Sequence, residues 1–306
     1  MNKIEALKQG DTVVIISPAK AIDHKYIQLV VQLFESWGLK VLVGKNAFGV
    51  HGYFSGTDRQ RLQDLQWALD HKEAKAIITT RGGYGSVRIV DDANYTMFRN
   101  YPKWMVGFSD ITVFHNLFHS KLKFPTIHAI APLYLDRLAH SSEPLKTLRK
   151  ALFGEELVYE VPKNPNNKWG NANGEVVGGN LAILCSLVGT SIDIDMDGKI
   201  LFIEEVSEYA YQLDRMLQGL KLAGKLKGLK GLVVGGLTDI KMCEETFGVS
   251  PEELIMQVVS EFNYPVLFDF PAGHQLDNRA LVLGCVYELK VTGLGASLKQ
   301  IRNGTA

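Results

Sequence analysis

Short runs of β-branched and aliphatic residues recur along this chain, each followed by a stretch of helical periodicity. That alternation restricts the fold more than any other feature. DTVVIISPA reads as a strand, and HKYIQLVVQLFESWG as an amphipathic helix stopped by Gly38. KVLVGKN is the next strand. Thr57, with Gln60 three residues on, forms a capping box that opens the helix TDRQRLQDLQWALDH. AKAIITTRGGYG, KWMVGFS and FPTIHAIAP are further strands. Strands separated by helices build βαβ units, so the pattern predicts an α/β fold with a mostly parallel sheet.

At 306 residues the chain exceeds the usual reach of one hydrophobic core, which predicts two domains. The Pro-, Asn- and Gly-rich stretch GEELVYEVPKNPNNKWGNANG, 154–174, is expected to be the linker. It leaves an N-terminal α/β domain over 1–153 and a smaller C-terminal α/β domain over 175–306. In the latter, GEVVGG, KILFIEEV, GLVVGGLTD, PVLFDFPAGH and LVLGCVYEL read as strands of a mixed sheet. NLAILCSLVG and YQLDRMLQGLKLAGKL read as helices, and Ser250-Pro251 with Glu253 opens another.

Lys plus Arg and Asp plus Glu each number 33, so the chain lacks the basic excess of a nucleic-acid binder. No run approaches a membrane span, and the N-terminal residues lack the pattern of a signal peptide. The expected location is therefore cytoplasmic. Three scattered cysteines, Cys185, Cys243 and Cys285, indicate neither a disulfide framework nor a CxxC metal site.

Four stretches carry potential chemistry. In KWMVGFSDITVFHNLFH, Ser109 stands where a strand meets a helix. That position suits a helix N-cap and equally a nucleophile elbow, with Asp110 able to contribute to the cap while Ser109 is presented. TRGGYGSVR, 80–88, fails as a dinucleotide fingerprint because Arg88 stands where the third glycine belongs. Its glycines still permit close backbone approach to a ligand, as an oxyanion hole requires, or simply a tight turn. ILFIEEV ends in two carboxylates, and strand alternation sends one of Glu204 and Glu205 inward unless the strand has ended. His274 follows an apolar strand in a Pro/Gly loop, with His128 as its rival. His115 and His119 have HExxH spacing without the glutamate, which favours a packed helix face. Asp193, Asp195 and Asp197 suit a solvated turn better than a calcium loop.

Together ISPA (16–19), TRGGYG (80–85), GFSD (107–110), GGNL (178–181), FIEEV with YQLDRML, and AGH (272–274) resemble the LD-carboxypeptidase family of serine peptidases. That family comprises the murein tetrapeptide carboxypeptidases and their microcin-immunity relatives. One departure is HAIAP, 128–132, where the family has His-Gly-Pro. The resemblance implies an N-terminal domain like class I glutamine amidotransferases, a murein-derived peptide substrate, a homodimer, and no cofactor or metal. It assigns Ser109, Glu204 and His274 as the catalytic set. A serine hydroxyl needs a base to take its proton and a third group to orient that base, which suits this trio. The oxyanion donors expected are the amides of Asp110 and Gly83, and Arg81 is expected to read the substrate's terminal carboxylate. Two rivals stand beside this reading. One is an immunity hydrolase of peptide–nucleotide amides, with Trp169 as the hint of a base platform; the other is a non-catalytic α/β binding module.

Overall fold

The structure, a computed structural model, describes residues 1–241 and 248–301; Cys243 lies outside them. The N-terminal half alternates β1 (Thr12–Ile16), α1 (His24–Ser36), β2 (Lys40–Val43), α2 (Asp58–Asp70) and β3 (Ala74–Thr79). It continues with α3 (Thr96–Asn100), β4 (Trp104–Gly107), α4 (Thr112–Leu117), β5 (Thr126–His128) and α5 (Glu143–Phe153). Then come β6 (Val158–Pro162), β7 (Gly170–Asn180), α6 (Leu181–Ser186), β8 (Ile200–Val206) and α7 (Ala210–Leu222). The last elements are β9 (Gly231–Thr238), α8 (Pro251–Val259), β10 (Val266–Leu267), β11 (Leu281–Leu283), β12 (Val286–Thr292) and β13 (Gly295–Gln300).

Two sheets result. The first has the order β11-β5-β4-β3-β1-β2, parallel throughout except for β11. The second has the order β10-β9-β8-β7-β12-β13-β6, with β7 to β10 parallel and the other three strands antiparallel. β1 is buried along its whole length, as a central parallel strand covered on both faces must be. The capping boxes at Thr57/Gln60 and Ser250/Glu253 form as the sequence predicts, and Gly38 takes a left-handed φ of 80° just past α1.

Two expectations need correction. The stretch 154–174, expected to be the linker, contains β6, which pairs with β13, and the start of β7 at Gly170. LVLGCVYEL is two strands rather than one. β11 crosses to the first sheet and pairs with His128 on β5, while β12 stays in the second. The turn between them passes through Gly284, whose φ of 85° permits the change of direction. The halves therefore interlock, and the larger core runs from Val13 on β1 to Leu298 on β13.

Candidate active site

The glycine loop follows β3, Ser109 follows β4, Glu204 lies near the end of β8, and His274 lies beyond β10. All four positions are at carboxyl ends of parallel strands, where open α/β sheets gather their ligands.

Ser109 leaves the extended Phe108 with φ 63°, the left-handed region that a non-glycine residue occupies at a cost of about 1–2 kcal/mol. No side chain caps the short turn Ser109–Ile111 or α4 that follows it. The hydroxyl is thus not a helix cap. It stands 3.0 Å from His274 Nε2, and His274 Nδ1 stands 2.6 Å from Glu204 Oε2. A carboxylate only accepts, so Nδ1 carries the proton and Nε2 is left to accept from the serine. Glu204 is fully buried, and the imidazole is 15% exposed, open enough to meet a substrate. Burial alone would lower the His274 pKa. The hydrogen bond to Glu204 and the charges of Glu204 and Glu205 outweigh it and raise the value above that of an ordinary histidine.

Both carboxylates of ILFIEEV are buried, although strand alternation predicted only one inside. β8 is buried from Ile200 to Glu205, so both of its faces are covered and side chains alternating between them are buried alike. Glu204 turns to His274. Glu205 accepts from Ala182 N at the start of α6 (2.7 Å), from Asn180 Nδ2 (2.9 Å) and from Val206 N (2.8 Å). Asn180 also donates its backbone N–H to Thr112 Oγ1 on α4, joining the Glu204 strand to the helix of the serine. In the sequence, GGNL contributes to the family resemblance but marks no role for Asn180. A polar residue ending the apolar run VVGGN was the available signal.

Asp110 does not cap. Its carboxylate accepts the amide of Ser86 at 2.9 Å, and burial raises its pKa against that hydrogen bond. Gly82 is the loop residue that abuts the elbow: a Cβ there would stand 2.9 Å from Asp110 N and 3.0 Å from Ser109 Cβ. Gly83 follows it with φ 103°, facing Tyr53 and Lys20. Arg81 donates to Ala21 O at 3.3 Å and has no carboxylate within ion-pair distance among the described residues. Its charge bears on Tyr134, a half-buried phenol whose pKa burial raises. The Tyr134 ring lies 6.1 Å from Phe108, which in turn lies 4.9 Å from the His274 ring.

The other sequence candidates lie apart from this cluster. His128 is fully buried against Phe108 and Phe202, and burial drives its pKa far down, so it is no base for Ser109. His115 bonds Gly107 O, whereas His119 bonds Glu175, so the two share no ligand. Asp193 pairs with Lys225 at 2.7 Å, and Asp195 accepts the amide of Asp197. Trp169 is 70% exposed and lies just before β7, whose far end holds Asn180. Ten strand residues, roughly 33 Å, separate it from the serine cluster.

The chain is similar to known proteins over most of its length. The LD-carboxypeptidase N-terminal domain matches residues 13–129 and the LD-carboxypeptidase C-terminal domain residues 173–289. A probable murein peptide carboxypeptidase of Bacillus subtilis is 36% identical over 92% of this chain and 89% of its own length. The murein tetrapeptide carboxypeptidase of Pseudomonas aeruginosa is 28% identical over 89% of this chain and 91% of its own. The crystal structure of a muramoyltetrapeptide carboxypeptidase from Oxalobacter formigenes superposes with a TM-score of 0.87 at 25% identity, covering 96% of this chain and 100% of that one. A microcin self-immunity protein shares the fold at a TM-score of 0.84 and 21% identity, over 97% and 98% of the two chains.

Proposed function

The chain belongs to the LD-carboxypeptidase family, and on that premise we propose that it is a serine carboxypeptidase that cuts the L,D peptide bond before the C-terminal D-alanine of murein tetrapeptides. The observation that carries this reading is the imidazole of His274, bonded on one side to Ser109 and on the other to Glu204. Ser109 Oγ attacks the scissile carbonyl as its proton passes to His274 Nε2. The tetrahedral intermediate then collapses, D-alanine leaves with that proton, and an acyl-enzyme remains. Water, deprotonated by the same nitrogen, hydrolyses it. Glu204 holds the tautomer and stabilises the imidazolium. The amides of Asp110 and Gly83 serve as the oxyanion donors, a role that the contact of Gly82 with the elbow supports. On this reading the domain over 1–153 supplies the nucleophile, and the domain over 175–306 supplies the acid and the base.

Arg81 completes the reading. A carboxypeptidase must sense the free carboxylate beside the scissile bond, and a guanidinium with donors to spare offers a bidentate partner. Wild type should cleave the tetrapeptide far faster than its C-terminally amidated analogue, and Arg81→Met should lose that discrimination. Equal cleavage of both by wild type would show that the carboxylate is not read. The microcin-immunity alternative needs a platform for a nucleobase, and Trp169, its only hint, lies at the wrong end of β7. Among the described residues no helix is long and apolar enough to cross a membrane. A cytoplasmic homodimer belongs to the same reading, and light scattering in solution tests the dimer directly.

A further inference from the structure

Arg61 is a fully buried guanidinium on the first turns of α2, far in sequence from every catalytic residue. A charge held away from water needs its donors satisfied. Those of Arg61 go to the carbonyls of Pro18, Gly56 (3.3 Å) and Gly85 (2.9 Å), and to the carboxylate of Asp58. Its plane lies over Phe54, with 4.7 Å to the ring centroid. Asp58 is itself held by Arg88 through bonds of 2.6 to 3.0 Å. The guanidinium is thereby fixed before it reaches the glycine loop.

The contact with Gly85 is the informative one. Gly85 O and Ser86 N belong to one peptide unit. Arg61 Nη1 donates to the oxygen at 2.9 Å, and the Asp110 carboxylate accepts from the nitrogen at 2.9 Å. Only glycine allows so close an approach: φ is 139°, and a Cβ would stand 2.8 Å from Arg61 Nη1. The 85–86 peptide is thus clamped between an arginine on α2 and the residue that follows the nucleophile. Two residues upstream in the same loop is Gly83, whose amide is one of the oxyanion donors of the reading above.

We infer that Arg61 is a positioning residue: through the 85–86 peptide and Asp110 it fixes the glycine loop against the serine elbow, setting the spacing of the oxyanion donors. It touches no substrate. The inference rests on the serine-peptidase reading above. A brace of this kind acts on the tetrahedral state, where charge develops on the oxygen, and leaves ground-state binding untouched.

The test compares Arg61→Lys, which keeps the charge but cannot span several carbonyls, with Asp110→Asn, which weakens the opposite grip. The expected result for each folded variant is a kcat lower by about 100-fold, the scale of losing one oxyanion donor, with KM changed less than threefold. Affinity for a peptidyl boronate, whose adduct with Ser109 mimics the tetrahedral oxyanion, should fall in parallel. Tetrapeptide binding in a Ser109→Ala background should stay constant. A purely structural Arg61 would instead lower the melting temperature and leave kcat and boronate affinity of the folded protein unchanged. That result, in either variant that folds, overturns the inference. If wild type binds the boronate but releases no D-alanine, the substrate reading fails, and boronate affinity of the variants still decides on the brace.

Discussion

At the residue scale the decisive group is His274, because its two nitrogens see different partners. The proposed mechanism requires Nε2 to be neutral, and against the lowering effect of burial the neighbouring carboxylates raise the pKa above the usual histidine value of 6.5. The acid limb of the kcat/KM profile is therefore expected above that value. The raised pKa also has a stability consequence of fixed sign. The protonated His274–Glu204 pair stabilises the fold fully below the unfolded pKa, and that contribution is lost as pH rises through the folded one. Stability should thus decline across the window in which activity appears. Glu204→Gln removes the raising charge, so its acid limb should move to lower pH and kcat should fall by about 10⁴-fold, the loss seen when a triad acid becomes an amide. A pH–rate profile of the variant with the limb unmoved would mean that Glu204 does not govern the base. Ser109, Glu204 and His274 were candidates in the sequence because each sits where an apolar run ends, and it was the family resemblance that made them one set. Arg61 was not, because an arginine in a polar, capped helix looks like every solvated one until the loops above it are in place.

At the element scale, much of the local structure follows from short-range chemistry. Thr57 and Ser250 cap their helices as their spacing to Gln60 and Glu253 predicts. What sequence missed depends on distant pairing. VYEVP alternates buried and exposed residues in the register of a half-covered strand, a signal overridden by the Pro and Asn around it. The register shift near Glu204 leaves no trace in ILFIEEV, since it arises from the pairing with β9. Lys103 is another such case. Read only as the start of a strand, its ammonium is buried and donates to the carbonyls of Ala68 (3.2 Å), Leu69 (2.8 Å) and His71 (2.7 Å), closing the C-terminal end of α2. Burial lowers its pKa to about 8, and at neutral pH it still carries charge opposite the negative end of the helix. Lys103→Met leaves those carbonyls without a buried donor and should cost about 2 kcal/mol in a urea melt, with kcat unchanged. A loss under 0.5 kcal/mol would show that water replaces the ammonium.

At the scale of the whole molecule, the two halves are bound into one another. β11 leaves the C-terminal half to close the first sheet beside β5. Glu175 on β7 binds His119 from the other half at 2.8 Å and Lys199 at 2.7 Å; despite burial, these partners hold its pKa down to about 2. Asn180 reaches Thr112 across the same seam. This interlock lets a serine from one half and a histidine from the other meet at 3.0 Å, although 165 residues separate them. The sequence pointed to a mostly parallel sheet in the first half and a mixed sheet in the second, but β11 and the seam required the fold itself. The claim that this assembled cluster is a peptidase is tested most directly by incubating wild type and Ser109→Ala with murein tetrapeptide and following the products by mass spectrometry. Wild type is expected to release one D-alanine and leave a tripeptide, while a folded Ser109→Ala releases none. Release by the variant at the wild-type rate, or an intact tetrapeptide after prolonged incubation with wild type, would contradict the account.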